Sequence, residues 1–284
     1  MPRGNIPRQP SKARRHDKAR TARVAAKPLK ITPPKKGKPA TVTPPKPNTA
    51  KPAAAATKAY NPLAPPRVNA ILQRLDDRYP DVRCALHHDS AWELLVATIL
   101  SAQCTDVRVN MVTPILFEKY PTVEHFAALQ PEDLEPDIRS TGFFRNKSKS
   151  VVGAARKIIS DFGGEVPRTM EELLAVPGAA RKTANVVLGS WFGIAAGVVV
   201  DTHVQRISRR LELTKTDAPP KIEQDLMRII PREKWIDFSH QIIHHGRALC
   251  IARKPKCAEC PMETLCHAAD KTWSTVDVHK SAKP

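Results

Sequence analysis

The chain has 284 residues, 41% of them hydrophobic, which is enough for one large core or two modest ones and excludes disorder throughout. Its net charge of +18 is lopsided, because residues 1–60 hold 16 of the 46 Lys and Arg and only one of the 28 acids, Asp17, a local excess of +15. A nearly neutral body with such a cationic arm suits a polyanion, whose condensed counterions the arm displaces on binding.

Residues 1–60 are Lys, Pro and Ala in irregular order, with Pro33-Pro34 and Pro44-Pro45 breaking any helix and almost no large apolar side chain. The segment reads as a disordered tail that either solubilises the body or holds DNA without sequence preference. A mitochondrial transit peptide fits less well, since such peptides are Ser-rich and this segment has only Ser11. Residues 61–88 are expected to supply an N-terminal helix, and beyond Tyr60 the apolar pattern is helical almost throughout.

Residues 92–100 are apolar on nearly all sides and predict a buried helix. Val151, Val152, Ala154, Ala155, Ile158, Ile159 and Phe162 recur at the spacing of one helix face, which Gly163-Gly164 then ends. Residues 167–176 predict a short helix, residues 176–180 a Pro-Gly turn, and residues 181–192 a second helix. Such a turn aims the free N–H groups of the second helix outward, a terminus that binds phosphate without reading sequence. Lys182 falls in the first turn of that helix beside Val186 and Val187; taken alone it reads as a surface lysine. If partly desolvated near a helix N-terminus, it would instead lose proton affinity and become an amine nucleophile.

The strand-like run at residues 197–200 is short enough to be a connector, and Asp201, which follows it, reads as a helix N-cap that could also balance a sugar cation. His203 is expected to be a packed or capped histidine rather than a catalyst, and His244 and His245, which lack a third ligand, are expected to hold no metal. The coarse result is an all-α body of about ten helices.

Six cysteines stand at 84, 104, 250, 257, 260 and 266, and no secretory signal precedes them. The longest apolar stretch, residues 186–200, is too short for a bilayer, so a non-membrane protein in a reducing compartment is expected. There, Cys250, Cys257, Cys260 and Cys266, spaced C-x6-C-x2-C-x5-C, suit a zinc ion or an iron–sulfur cluster, and spacing alone leaves both open. The simplest role of either is a structural staple. Arg253, Lys254 and Lys256 between the first two ligands form a candidate phosphate clamp. Cys84 and Cys104 read as small buried residues.

Four stretches, in this order, closely resemble the endonuclease III family: Leu100-Ser101-Ala102-Gln103-Cys104-Thr105-Asp106, Val176-Pro177-Gly178-Ala179-Ala180-Arg181-Lys182-Thr183, Val200-Asp201-Thr202-His203, and the cysteine loop. The resemblance covers about residues 67–270 and implies a two-lobed, all-α helix–hairpin–helix glycosylase. It implies a six-helix lobe at 89–199, a second lobe of the first helix with residues 200–270 carrying a [4Fe–4S] cluster, and a C-terminal tail at 271–284. It makes Lys182 a Schiff-base nucleophile, Asp201 the acid that assists base loss, Gln103 the side chain that fills the hole left by a flipped nucleotide, and Phe143 the wedge. Gly178, Ala180 and Arg181 would hold the backbone of duplex DNA carrying a damaged pyrimidine or abasic site.

The activity implied is excision of oxidised pyrimidines and strand cleavage by β-elimination, by a monomer in the bacterial cytoplasm at the nucleoid, with nuclear or mitochondrial sites left open. Adenine glycosylases of similar fold lack a lysine at position 182, and a catalytically silent DNA binder would leave Lys182 and Asp201 unexplained. Two positions depart from the family pattern. Phe143 stands where leucine is usual, and Ala180 where glycine is usual; if Ala180 needed φ > 0 it would cost of order 1 kcal/mol and loosen the phosphate grip, with Phe143 and the tail compensating.

Overall fold

Eleven α-helices and no strand are found among the described residues, 60–272 of this computed structural model, all of which fall within one compact unit, Lys58–Pro284. The expected basic tail lies outside the described residues. The helices are α1 (Pro65–Arg78), α2 (Ala91–Leu100), α3 (Asp106–Lys119), α4 (Val123–Ala128), α5 (Pro131–Ile138), α6 (Phe144–Phe162), α7 (Met170–Ala175), α8 (Arg181–Ser190), α9 (Thr202–Arg210), α10 (Pro219–Ile229) and α11 (Trp235–Ala248).

Apolar burial divides them into two cores. Helices α2 to α8 surround the first, with α4 and α5 packed on α6, α7 on α8, and α2 in the middle. Every residue of α2 from Trp92 to Leu100 except Glu93 is buried, as its all-round apolar sequence requires. Its start is set by Ser90, whose Oγ accepts the Glu93 N–H, while the Glu93 carboxylate accepts the Asp89 N–H. Helices α1, α9, α10 and α11 form the second core from Val68, Ile71, Leu75, Val204, Ile207, Leu226, Phe238 and Ile242.

Local chemistry moves several boundaries. The helix expected over 167–176 contracts to α7 because Thr169 caps it, its Oγ1 accepting the Glu172 N–H and its hydroxyl donating to the Glu172 carboxylate. The helix expected over 181–192 stops at Ser190, where Gly193 takes φ +68° and the Ile194 N–H turns back to the Leu188 carbonyl. In α6, Val151, Val152, Ala154, Ala155 and Ile158 are buried as expected, but Ile159 and Phe162 are only half-buried.

The 197–200 run is a connector, not a strand. It passes from the first core to the second, and the Val199 N–H donates to Ser239 Oγ at 3.0 Å. Gly197 has no room for a side chain, because a Cβ there would run into the Glu223 carboxylate and lie 2.9 Å from the Asn185 amide. Since Glu223 and Asn185 are both buried, neither yields freely. The substitution Gly197→Ala should therefore destabilise the protein by about 1–3 kcal/mol. A lowering of the thermal midpoint by several degrees would show it, and an unchanged midpoint would mean the carboxylate relaxes without cost.

Candidate active site and nucleic-acid interface

The α7–turn–α8 hairpin is shaped by two constraints. The Ala179 N–H closes on the Val176 carbonyl at 3.1 Å, and Gly178 sits at φ +79° with its Cα so near α6 that a Cβ would lie 2.7 Å from Ser150 Cβ. Ala180 is the N-cap of α8 and offers no side-chain cap, which leaves the first N–H groups of the helix for an external acceptor. The strain expected at Ala180 is absent, because its backbone is extended at φ −72° and ψ 168°. The supposed compensation by Phe143 and the tail loses that basis. Arg181 does not stand free for phosphate either: its Nε donates to buried Glu223 at 2.6 Å, which raises its pKa through that hydrogen bond.

Lys182 lies at the junction of two depressions. It is exposed, as its spacing alone suggested, and not partly desolvated; Val186 and Val187 point to the core and the lysine away from it. One depression joins Lys182 to Asp201, Asp106, Arg247 and His244. Asp201 does cap α9: its Oδ1 accepts the N–H groups of His203 and Val204, both at 2.8 Å. Its Oδ2 has no hydrogen bond among the described residues, so the capping role leaves one oxygen over. Arg247 at the end of α11 reaches Asp106 at the start of α3, a 2.5 Å ion pair across the two cores.

The second depression joins Lys182 to Gln103, Phe143, Gly178 and Ala180. Gln103 and Phe143 are both exposed, and both hold left-handed backbones, at φ +53° and +49°. Such geometry costs roughly 1 kcal/mol or more per residue and persists only where surroundings enforce it. The enforcing group is one that motif reading missed. Lys147, buried on α6, donates its ammonium to the Leu100 carbonyl at 2.8 Å and the Thr141 carbonyl at 2.7 Å, just before the two strained residues. Burial lowers its pKa. The only sequence signal was a lysine on the inward side of an amphipathic helix.

The four loop cysteines line one hollow, with Arg210 and Lys271 beside them. Among the described residues no set of three or more His, Cys, Asp or Glu is spaced for a single metal ion. Four cysteine sulfurs lining one hollow are a donor set that fits an iron–sulfur group, which Cys250, Cys257, Cys260 and Cys266 would hold. Burial pushes the Cys260 thiol up to about 12 and raises Cys250 and Cys266, so free thiolates would not persist there without cationic iron. Arg253, Lys254 and Lys256 are all exposed on the loop, Lys254 at φ +55°. Cys84 and Cys104, expected to be buried, are half-buried at the surface of the first core.

Residues 96–232 match the HhH-GPD superfamily of base excision DNA repair proteins, and residues 250–266 match the iron-sulfur binding domain of endonuclease III. Endonuclease III of Synechocystis sp. is 57% identical over 72% of this chain and 93% of its own length. This chain belongs to the endonuclease III family. The Bacillus subtilis endonuclease III is 45% identical over 72% of this chain and 94% of its own. A solved trapped endonuclease III–DNA covalent intermediate superposes with a TM-score of 0.68 at 43% identity, covering 72% of this chain and 95% of the other.

Family membership fixes the cluster as [4Fe–4S], deciding what cysteine spacing left open, and makes the protein a DNA-binding enzyme of base excision repair. No helix among the described residues is long and apolar enough to cross a membrane. In this endonuclease III fold, Lys147 ties together the two loops nearest the hairpin. Lys147→Met should leave two carbonyls unpaired, lower stability by about 1–3 kcal/mol, and weaken binding to duplex carrying an abasic-site analogue. Unfolding and binding isotherms check both effects; a stable variant with unaltered affinity would show that the strained loops hold themselves.

Proposed function

We propose that this protein is a bifunctional glycosylase and abasic-site lyase that removes oxidised pyrimidines from duplex DNA, acting as a monomer in the bacterial cytoplasm at the nucleoid. The observation that carries the reading is the position of Lys182, which shares one depression with Asp201 and the other with Gln103 and Phe143. The covalent DNA intermediate trapped with a related endonuclease III supports a covalent step by a nucleophilic side chain.

A base in the duplex is inaccessible, so the nucleotide rotates out, and poorly stacked damaged bases resist least. Phe143 wedges the stack and Gln103 fills the vacancy. The open turn at Gly178 and Ala180, the uncapped start of α8, and the cations Arg253, Lys254 and Lys256 hold phosphates. Arg181 orients the helix through Glu223 rather than gripping the strand itself.

With DNA covering it, the neutral Nζ of Lys182 attacks the sugar C1′, and the bond from C1′ to the base nitrogen breaks, the base leaving with the electron pair and gaining a proton. The second carboxylate oxygen of Asp201 balances positive charge developing on the sugar. The C1′–O4′ bond then breaks as O4′ takes one proton from Nζ, which opens the sugar ring and leaves a protonated imine between Lys182 and C1′. The imine acidifies the C2′ proton; loss of that proton forms the C2′–C3′ double bond and breaks C3′–O, releasing the 3′ phosphate. The cluster contributes a fold for its loop and no step in this sequence.

Borohydride should trap an adduct between the protein and abasic duplex, and Lys182→Gln should abolish it. An adduct at the native rate would remove Lys182 from the nucleophile's role. Asp201→Asn, which keeps a capping oxygen, should slow base excision about 100-fold or more in single turnover while still permitting trapping on abasic DNA. Deleting residues 1–60, which carry a net +15, should flatten the salt dependence of duplex binding with little change in the rate on saturating DNA; an unaltered salt slope would rule out an electrostatic role for that segment.

A further inference from the structure

Six buried side-chain polar atoms among the described residues have no hydrogen-bond partner, and they belong to Arg67, Trp92, Thr113, Asn185, Ser208 and His244. Only His244 lines the depression that holds Lys182 and Asp201. An unpaired buried polar atom is destabilising, so in a folded protein it calls for an explanation. In a pocket beside the reactive lysine, the missing partner can be the substrate.

Its neighbours on the same face of α11 are already engaged. One turn earlier, His240 Nε2 meets Ser190 Oγ at 3.1 Å; one turn later, Arg247 is bound to Asp106 at 2.5 Å. His244 Nε2 is the polar atom left over on this face. Burial and then the Arg247 cation lower its proton affinity by more than Asp106 and the Arg83 backbone raise it, so the imidazole is neutral at neutral pH. The ring's hydrogen bond to the Arg83 backbone takes its single N–H, so Nε2, which has no partner, presents a lone pair without requiring a charge to be desolvated, and this suits an N–H of an uncharged heterocycle.

We propose that His244 is a specificity-determining residue that accepts, through Nε2, a hydrogen bond from the imide N–H of the extruded oxidised pyrimidine. The inference rests on the glycosylase and lyase reading given above. Nε2 is covered in the free protein, and entry of the nucleotide parts the side chains over it. The contact exists only while a base is attached. Once the base has left, the abasic sugar joined to Lys182 offers His244 nothing to hold, so the two activities depend on it unequally.

The test compares the full-length, cluster-loaded protein with His244→Leu and His244→Gln on two duplexes, one carrying thymine glycol and one a preformed abasic site. His244→Leu should slow single-turnover base excision on the order of tenfold or more, as expected for loss of a buried hydrogen bond, while abasic strand cleavage falls far less. His244→Gln should restore part of the excision rate. Cluster absorbance and thermal midpoint establish that each variant is folded. Equal loss of both activities, or excision by His244→Leu at the native rate, would overturn the proposal. So would failure of glutamine to improve on leucine in folded protein. If the unsubstituted protein excises no thymine glycol yet cleaves abasic duplex, the base assignment fails while the lyase reading stands; if it cleaves neither, that reading fails as well.

Discussion

The buried carboxylate of Glu223 determines how the two halves of the candidate active site meet. Lys182 stands on a helix of the first apolar core and Asp201 at the start of a helix of the second, so no single core fixes the distance between them. Glu223 on α10 accepts from Arg181 at 2.6 Å and from the Asn185 amide at 2.9 Å, both on α8, one residue before Lys182 and three after it. Gly197 exists to let the connector pass that carboxylate. Breaking a fully buried pair costs about 3–5 kcal/mol, but here Arg181 is 48% exposed, and water screens much of its share. The geometric role therefore outweighs the energetic one: polar contacts with fixed directions hold the seam where apolar packing, which has none, would let it slide.

A second seam of this kind surrounds the cluster loop. Arg210, only 9% exposed, donates to the carbonyls of Ile251 and Ala252 and lies 3.2 Å from Cys250 Sγ, and Arg206 reaches the Cys250 carbonyl at 2.9 Å. From the other side, Arg67 and Arg74 of α1 bind the carbonyls of Leu265 and Pro261. Buried His245 bridges Tyr79 and Cys260, with Nδ1 3.2 Å from the phenol and Nε2 3.5 Å from the sulfur. A loop with almost no regular structure spends its backbone carbonyls on arginines, and the metal centre satisfies the thiols. That leaves Arg253, Lys254 and Lys256 on its outer surface with no structural duty.

How legible this was in sequence depended on whether the signal was local. Helix periodicity placed α2 and α6 well, because each buries a face that its own residues define, and Gly163-Gly164 ended α6 as expected. Helix ends were less legible, since the stop of α8 depends on a carbonyl at Leu188 finding the Ile194 N–H. At the site, continuous motifs pointed to Lys182, Asp201 and Gln103, and the fold brings these to the two adjoining depressions. Glu223, Lys147 and His244 lie in no motif. Their significance comes from what the fold brings to them: a hairpin arginine 42 residues away for Glu223, and a loop carbonyl 47 residues away for Lys147. The error at Ala180 has the same origin, because spacing could not show whether that residue stands inside the turn, where φ > 0 is needed, or just past it as a helix cap.

Strain shows where the fold has been shaped for a ligand rather than for itself. Among the described residues, four non-glycine positions take positive φ: Gln103, Phe143, Glu212 and Lys254. Glu212 is compensated locally, since it accepts the Tyr60 hydroxyl at 2.5 Å. The other three are exposed and lie where DNA is expected to touch. Exposed side chains gain little from burial, so nothing in their own packing repays a left-handed backbone. For Gln103 and Phe143 the cost is borne by Lys147, whose buried ammonium holds the carbonyls of Leu100 and Thr141, just ahead of the strained residues. In the proposed function, holding both side chains in place before DNA arrives means that the ordering cost is met in folding rather than in binding, which would leave more of the binding energy for rotating a nucleotide out of its stack.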